Sequence, residues 1–212
     1  MPPYYWQVNY GHGVAVKDGQ RAVFKRRWLR GAVAVLLAFG VWNIGQGAYI
    51  YAKAALAQHL LRQAWSATQL GEVGVKPWSW ADTYPVARLT APKQGVDLIV
   101  LAGASGRTLA FGPGHVDGTP LPGTTGNSVL SAHRDTHFAF LQRLHRGDPL
   151  TVESANGKKT RYTVQATRIV DQNDVSVMRT SSATQLTLVT CYPFDAVRPG
   201  GPLRYVVSAR PL

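Results

Sequence analysis

The chain has 212 residues, 45% hydrophobic and 16% charged, with 23 Lys+Arg against 11 Asp+Glu for a formal charge of +12. That size and composition suit a globular domain with its own core and exclude a disordered chain. A single cysteine, Cys191, excludes an intramolecular disulfide and a Cys-rich zinc site. The positive charge invites nucleic-acid binding, but its distribution argues against it. Lys17, Arg21, Lys25, Arg26, Arg27 and Arg30 crowd ahead of an apolar stretch, and the other basic residues are scattered. No Arg-rich recognition helix or RNP-like aromatic motif occurs.

The first predicted element is the uncharged run GAVAVLLAFGVWNIGQGAYIYA at residues 31–52. As a helix at ~1.5 Å per residue it spans about 33 Å, enough for a hydrocarbon core of ~30 Å. Asn43 and Gln46 weaken its second half, and Trp42, Tyr49 and Tyr51 suit an interface. The preceding basic cluster orients it with residues 1–30 in the cytoplasm and the rest across the membrane. Two alternatives are a cleaved signal peptide, whose n-region would be unusually long, and a hydrophobic helix buried in a soluble fold. Helical periodicity continues to Gln69 as a stalk, with Leu56, Leu60, Ala64 and Ala67 on one side. Punctuation in GEVGVKPWSW ends it, so residues 53–75 read as stalk and linker and residues 76–212 as one β-rich domain. Trp78 and Trp80 read as packing the stalk onto that domain.

From about Val73 short β-patterned runs alternate with turns. The predicted strands are PVARLT, VDLIVLAG, NSVLSAH, PLTVES, TRYTVQATRIV, QLTLVTCY and LRYVVSAR. Gly and Pro clusters divide them, SANGKK reads as a hairpin turn, and short helices are predicted at residues 105–110 and 136–144. This spacing predicts an antiparallel barrel or sandwich.

Cys191 ends the alternating run QLTLVT, which makes it a strand-end residue presented from a rigid support. The other reading is a buried, inert thiol. Thiol catalysis needs an imidazole partner and donors for an oxyanion. Of six histidines, His133 also ends an apolar strand, 58 positions before Cys191. His137 is the weaker candidate. Arg204 opens the last strand, where its planar fork could hold an oxyanion or a carbonyl. Arg198 in the preceding loop is its rival. Each of these could also be an ordinary exposed or structural side chain.

T-L-V-T-C at residues 187–191, S-A-H-R-D-T-H-F at residues 131–138, and an Arg shortly after the cysteine together resemble the sortases, membrane-anchored cysteine transpeptidases. GRTLAFGPGH and NSVLSAHRDTHF add to the likeness, and KPWSWADTYPVARL at residues 76–89 resembles the domain entry of Gram-negative (class GN) sortases. The resemblance implies a closed, mostly β, eight-stranded barrel preceded by a transmembrane helix and stalk. It implies Cys191 as nucleophile, His133 as general acid/base, Arg204 as oxyanion or substrate stabiliser and Thr190 as a residue shaping the oxyanion site. The implied substrate is a membrane-tethered protein with an LPxTG-like C-terminal sorting signal, and the acceptor is an amine. The implied location is a single-pass inner-membrane protein with its catalytic domain outside the cytoplasm. No cofactor is expected: some sortases bind calcium near the groove, but the acidic residues here lack Ca²⁺-loop spacing. Rival readings are a membrane-bound cysteine hydrolase that passes the acyl group to water, and an inert anchored β-domain. An L,D-transpeptidase is disfavoured because no S/T-H-G-C element surrounds Cys191.

Overall fold

Residues 15–69 contain no proline, and in the computed structural model, which describes residues 15–198 and 200–212, they form one helix, α1 (Ala15–Gln69). The chain divides into two compact units, Met1–Lys53 and Ala54–Leu212. In the first unit, Val35, Leu36, Leu37, Phe39, Trp42 and Ile44 are all exposed, so α1 presents apolar side chains on every side between Val35 and Ile44. An all-round apolar helix needs a surrounding apolar phase, and within Lys25–Gln69 this one is long and apolar enough to cross a bilayer, with mean hydropathy 1.5. The Asn43 side-chain amide donates to the Phe39 carbonyl one turn back at 2.7 Å. In an apolar surrounding that bond would reduce the cost of carrying the amide.

In the second unit the end of α1 is amphipathic. Ala57, Leu61, Ala64, Trp65 and Thr68 are buried, and Leu61 and Trp65 form a small core with Ile99, Leu101 and Phe111. Gln58 Nε2 fixes this contact by donating to the Phe111 carbonyl at 2.7 Å. The buried stripe is displaced by one residue from the side predicted by Leu56 and Leu60, and Leu56 is exposed. Packing against the barrel, rather than the size of the leucines, selects the face. Trp78 meets Phe111 edge-on at 4.9 Å and so packs on the same cluster, but Trp80 is 83% exposed and packs on nothing there.

Eight strands follow: β1 (Pro85–Ala91), β2 (Val96–Ala102), β3 (Gly114–His115), β4 (Asn127–Ser131), β5 (Pro149–Ser154), β6 (Lys159–Asp171), β7 (Gln185–Tyr192) and β8 (Leu203–Pro211). They close a barrel in the order β1-β2-β3-β4-β7-β8-β6-β5. Alternation along each strand sends Leu89, Leu130, Leu150, Val152, Leu186, Leu188 and Val207 into one core, capped by Phe138 and Phe140. The β5–β6 hairpin falls at the predicted SANGKK turn, with Glu153 opposite Lys159. Of the two predicted helices, the first is α2 (Gly106–Leu109), capped by Ser105, and the second is a 3-10 turn over Ala139–Arg143.

Strand β3 has no counterpart among the runs read from sequence. It is two residues long, and a Cβ at Gly114 would collide with the Gly103 carbonyl. Glycine is required for this close backbone approach, so the position cannot show a strand-like side chain.

Candidate active site

β4 and β7 run parallel with a constant offset of 58, from Asn127 beside Gln185 to Ser131 beside Val189. Carrying that offset two residues on places His133 level with Cys191. The next strand, β8, pairs antiparallel with β7 and puts Arg204 directly opposite Cys191. The three residues therefore occupy one row across three adjacent chain segments, spaced at ~4.8 Å. Leu130, Leu186, Leu188 and Val207 point into the core, so Cys191 and Arg204, which lie within strands, fall on the outer face. His133 is exposed, and Cys191 and Arg204 are half-buried.

Thr190 faces the opposite way. It is buried, and its hydroxyl donates to the Ala132 carbonyl at 2.7 Å. This bond ties the end of β7 to the segment leading into His133. Behind Cys191, Tyr192 stacks on Tyr205 at 6.2 Å, and Phe194 meets Tyr205 edge-on at 5.2 Å. Strand ends normally fray; here a hydroxyl bond and three rings hold the row.

Arg204 spends part of its fork on the protein. Nη1 donates to the carbonyls of Gly201 and Leu203 at 2.7 and 2.9 Å, and Nη2 to Gln172 Oε1 at 3.1 Å. All three partners are neutral groups, and none is a carboxylate. Arg198, its rival from sequence, lies exposed in the β7–β8 loop and contributes a backbone carbonyl.

That carbonyl leads to a residue that sequence reasoning missed. Arg134, next to His133, is buried, and its Nη2 donates to the carbonyls of Ala196 and Arg198 at 2.9 and 3.0 Å. It clamps the loop after Cys191 against the segment that carries His133. A lone Arg in a polar stretch gives no sequence sign of this, because its partners lie 62 and 64 positions downstream.

The other histidines have separate roles. His115 is buried in β3, with Nε2 3.0 Å from both the Pro120 carbonyl and the Thr119 hydroxyl. His59 bonds Gln63 on α1 at 3.0 Å. His145 is exposed. His137 is half-buried, and burial pushes its imidazole below its usual pKa; His133 adds to the effect and Asp135 opposes it. The folded protein thus disfavours protonation there relative to the unfolded chain, whose histidine titrates near 6.5. The associated stability is present above that value and is lost as pH falls through the lower, folded pKa. Chemical denaturation between pH 7.5 and 5 should therefore show wild type losing more stability on acidification than His137→Gln. Parallel profiles would contradict this. Among the described residues, no group of three or more His, Cys, Asp or Glu side chains could hold a metal ion.

Residues 89–212 match the sortase domain family model. Sortase D of Bacillus subtilis (strain 168) is 36% identical over 123 residues, which is 58% of this chain and 61% of that protein. Among solved structures, sortase A from Corynebacterium diphtheriae aligns with TM-score 0.56 at 28% identity, covering 63% of each chain. Sortase C-1 from Actinomyces oris aligns with TM-score 0.55 at 32% identity, covering 60% of this chain and 74% of that one. The match thus spans less than two thirds of the Bacillus and Corynebacterium proteins.

Proposed function

This chain belongs to the sortase family, and on that premise we propose that it is a membrane-anchored cysteine transpeptidase. The observation that carries the proposal is Cys191 opposite Arg204 on the outer face, with His133 two residues past the end of β4, the strand beside β7. The Cys191 thiolate attacks the carbonyl carbon of a Thr–Gly-type bond, forming a C–S bond. Arg204 supports the oxyanion. His133 gives a proton to the departing amine as the C–N bond breaks, leaving a thioacyl-enzyme. An acceptor amine then attacks the thioester carbon and yields its proton to His133. The C–S bond breaks, and the acyl group is joined to a new partner. Thiol, imidazole and guanidinium supply every step, so no cofactor is invoked.

The substrate in this proposal is a membrane-tethered protein with an LPxTG-like C-terminal signal. Anchoring enzyme and substrate in one bilayer raises their effective concentration. The apolar part of α1 serves as the anchor, and the basic cluster before it orients residues 1–30 to the cytoplasm. We place the barrel on the periplasmic side of an inner membrane. The Gram-negative class rests on residues 76–89 alone, ahead of the matched region, and the relatives above are sortases A, C and D.

The test uses the full chain in detergent micelles with an LPxTG-type peptide, with and without an amine such as a glycine oligomer. Mass spectrometry should show an acyl adduct on Cys191 that amine converts to ligated peptide. Hydrolysis at the same rate with and without amine would make the enzyme a hydrolase. An unacylated, unreactive Cys191 would leave an inert domain.

A further inference from the structure

The outer face that carries Cys191 also floors a cleft of about 680 Å³. Thr187 of β7 and Val206 and Ser208 of β8 belong to that floor. The wall is the chain between β6 and β7. It is pinned by Asn127, whose Nδ2 donates to the carbonyls of Val177 and Arg179 at 2.9 and 3.2 Å and whose Oδ1 accepts from Thr187 Oγ1 at 2.7 Å. Val206 pairs with Val189, two residues from Cys191. The cleft therefore opens about 7 Å along the strand from the thiol.

Its lining is strongly one-signed. Arg146, Arg168, Arg179 and Arg210 come from a loop, from β6, from the β6–β7 wall and from β8. Six serine and threonine side chains and three amides accompany them, and no Asp or Glu lines the cleft. None of the four guanidiniums has a side-chain hydrogen bond or an ion pair among the described residues. Asp174 lies close enough to interact with Arg168 and Arg179, and it also accepts from the Ser176 backbone N–H at 2.9 Å. The lining thus gathers four cations and no carboxylate around a concave, hydroxyl-rich surface.

Resting on the transpeptidase reading of Cys191, we infer that this cleft binds an acidic side chain of the substrate on the acyl side of the scissile bond. The acyl part stays attached to the enzyme through both half-reactions, whereas the leaving amine departs and is replaced. A built cleft beside the thiol therefore serves the acyl part. An extended peptide advances ~3.3 Å per residue, so the cleft meets positions about two to six residues before the scissile carbonyl. Arginine's fork matches a carboxylate bidentately and discriminates it from the isosteric amide.

The experiment scans Glu against Gln through those positions in a peptide substrate. It measures kcat/KM for ligation to a fixed amine by the full chain, in zwitterionic and in anionic nanodiscs. At one or more positions Glu should exceed Gln by about tenfold, the scale of one charge-assisted bond, mostly through KM. The ratio should fall to near one in Arg168→Gln/Arg179→Gln, and Arg168→Glu should turn the preference toward Lys. Arg168→Lys should retain part of it. Cleavage without Glu/Gln discrimination overturns the inference and leaves the transpeptidase reading standing. So does a rate that needs these arginines only in anionic lipid, which would assign them to headgroups. If Cys191 is acylated by no peptide, both fall together.

Discussion

Changing Cys191 to alanine should abolish the thioacyl-enzyme and lower ligation by at least about 10⁴-fold, the scale on which enzymes lose rate with their nucleophile. Because Cys191 is the only thiol in the chain, no second cysteine can take the acyl group. The intact-mass adduct must disappear rather than shrink. The fold should tolerate the change. Cys191 is half-buried on the outer face, while the core behind it is built from Leu186, Leu188 and Tyr205. Losing one half-buried sulfur atom outside the core should change stability by no more than about 0.5–1 kcal/mol. Circular dichroism and thermal unfolding of Cys191→Ala should therefore overlay wild type. Ligation surviving in a purified, folded Cys191→Ala protein would remove Cys191 from the mechanism.

The strands that carry the candidate residues were legible in the sequence. Period-two alternation in QLTLVT announced β7, and the apolar run before His133 announced β4. The 58 positions that separate His133 from Cys191 in sequence equal the register offset of the parallel pair. No residue pattern predicts that equality. It became visible when the barrel closed with β4 beside β7. The sequence predicted a strand through His133, whereas β4 ends at Ser131 and the histidine lies just past it, free of the ladder. Other features stay hidden for physical reasons. β3 is two residues long, and its glycine exists to admit the Gly103 carbonyl. Arg134 is buried by loop carbonyls far downstream. The four arginines of the cleft are scattered between positions 146 and 210. Along the chain they looked like generic basic surface, and the closed barrel concentrates them.

Replacing His133 by alanine should slow acylation by about 10²- to 10⁴-fold, the usual contribution of a positioned acid–base group. The thiol itself remains, so thiol-directed alkylation of Cys191 should persist in His133→Ala while ligation collapses. That split separates proton transfer to the leaving amine from mere access to sulfur. His133 is exposed, so its removal opens a solvent-accessible gap beside Cys191, and added imidazole should restore part of the rate. His137 supplies the control. It lies close enough for His133 to oppose its protonation, yet it stands four residues beyond the row, and Phe138 begins the turn into the core. Thr190 and Arg134 tie the chain on either side of His133 to β7 and its following loop, which makes His133 the imidazole expected to serve the thiol. His137→Gln should thus lose at least about tenfold less activity than His133→Ala. Equal losses in the two variants, or a His133→Ala enzyme that still ligates at the wild-type rate, would give the proton transfer to another group.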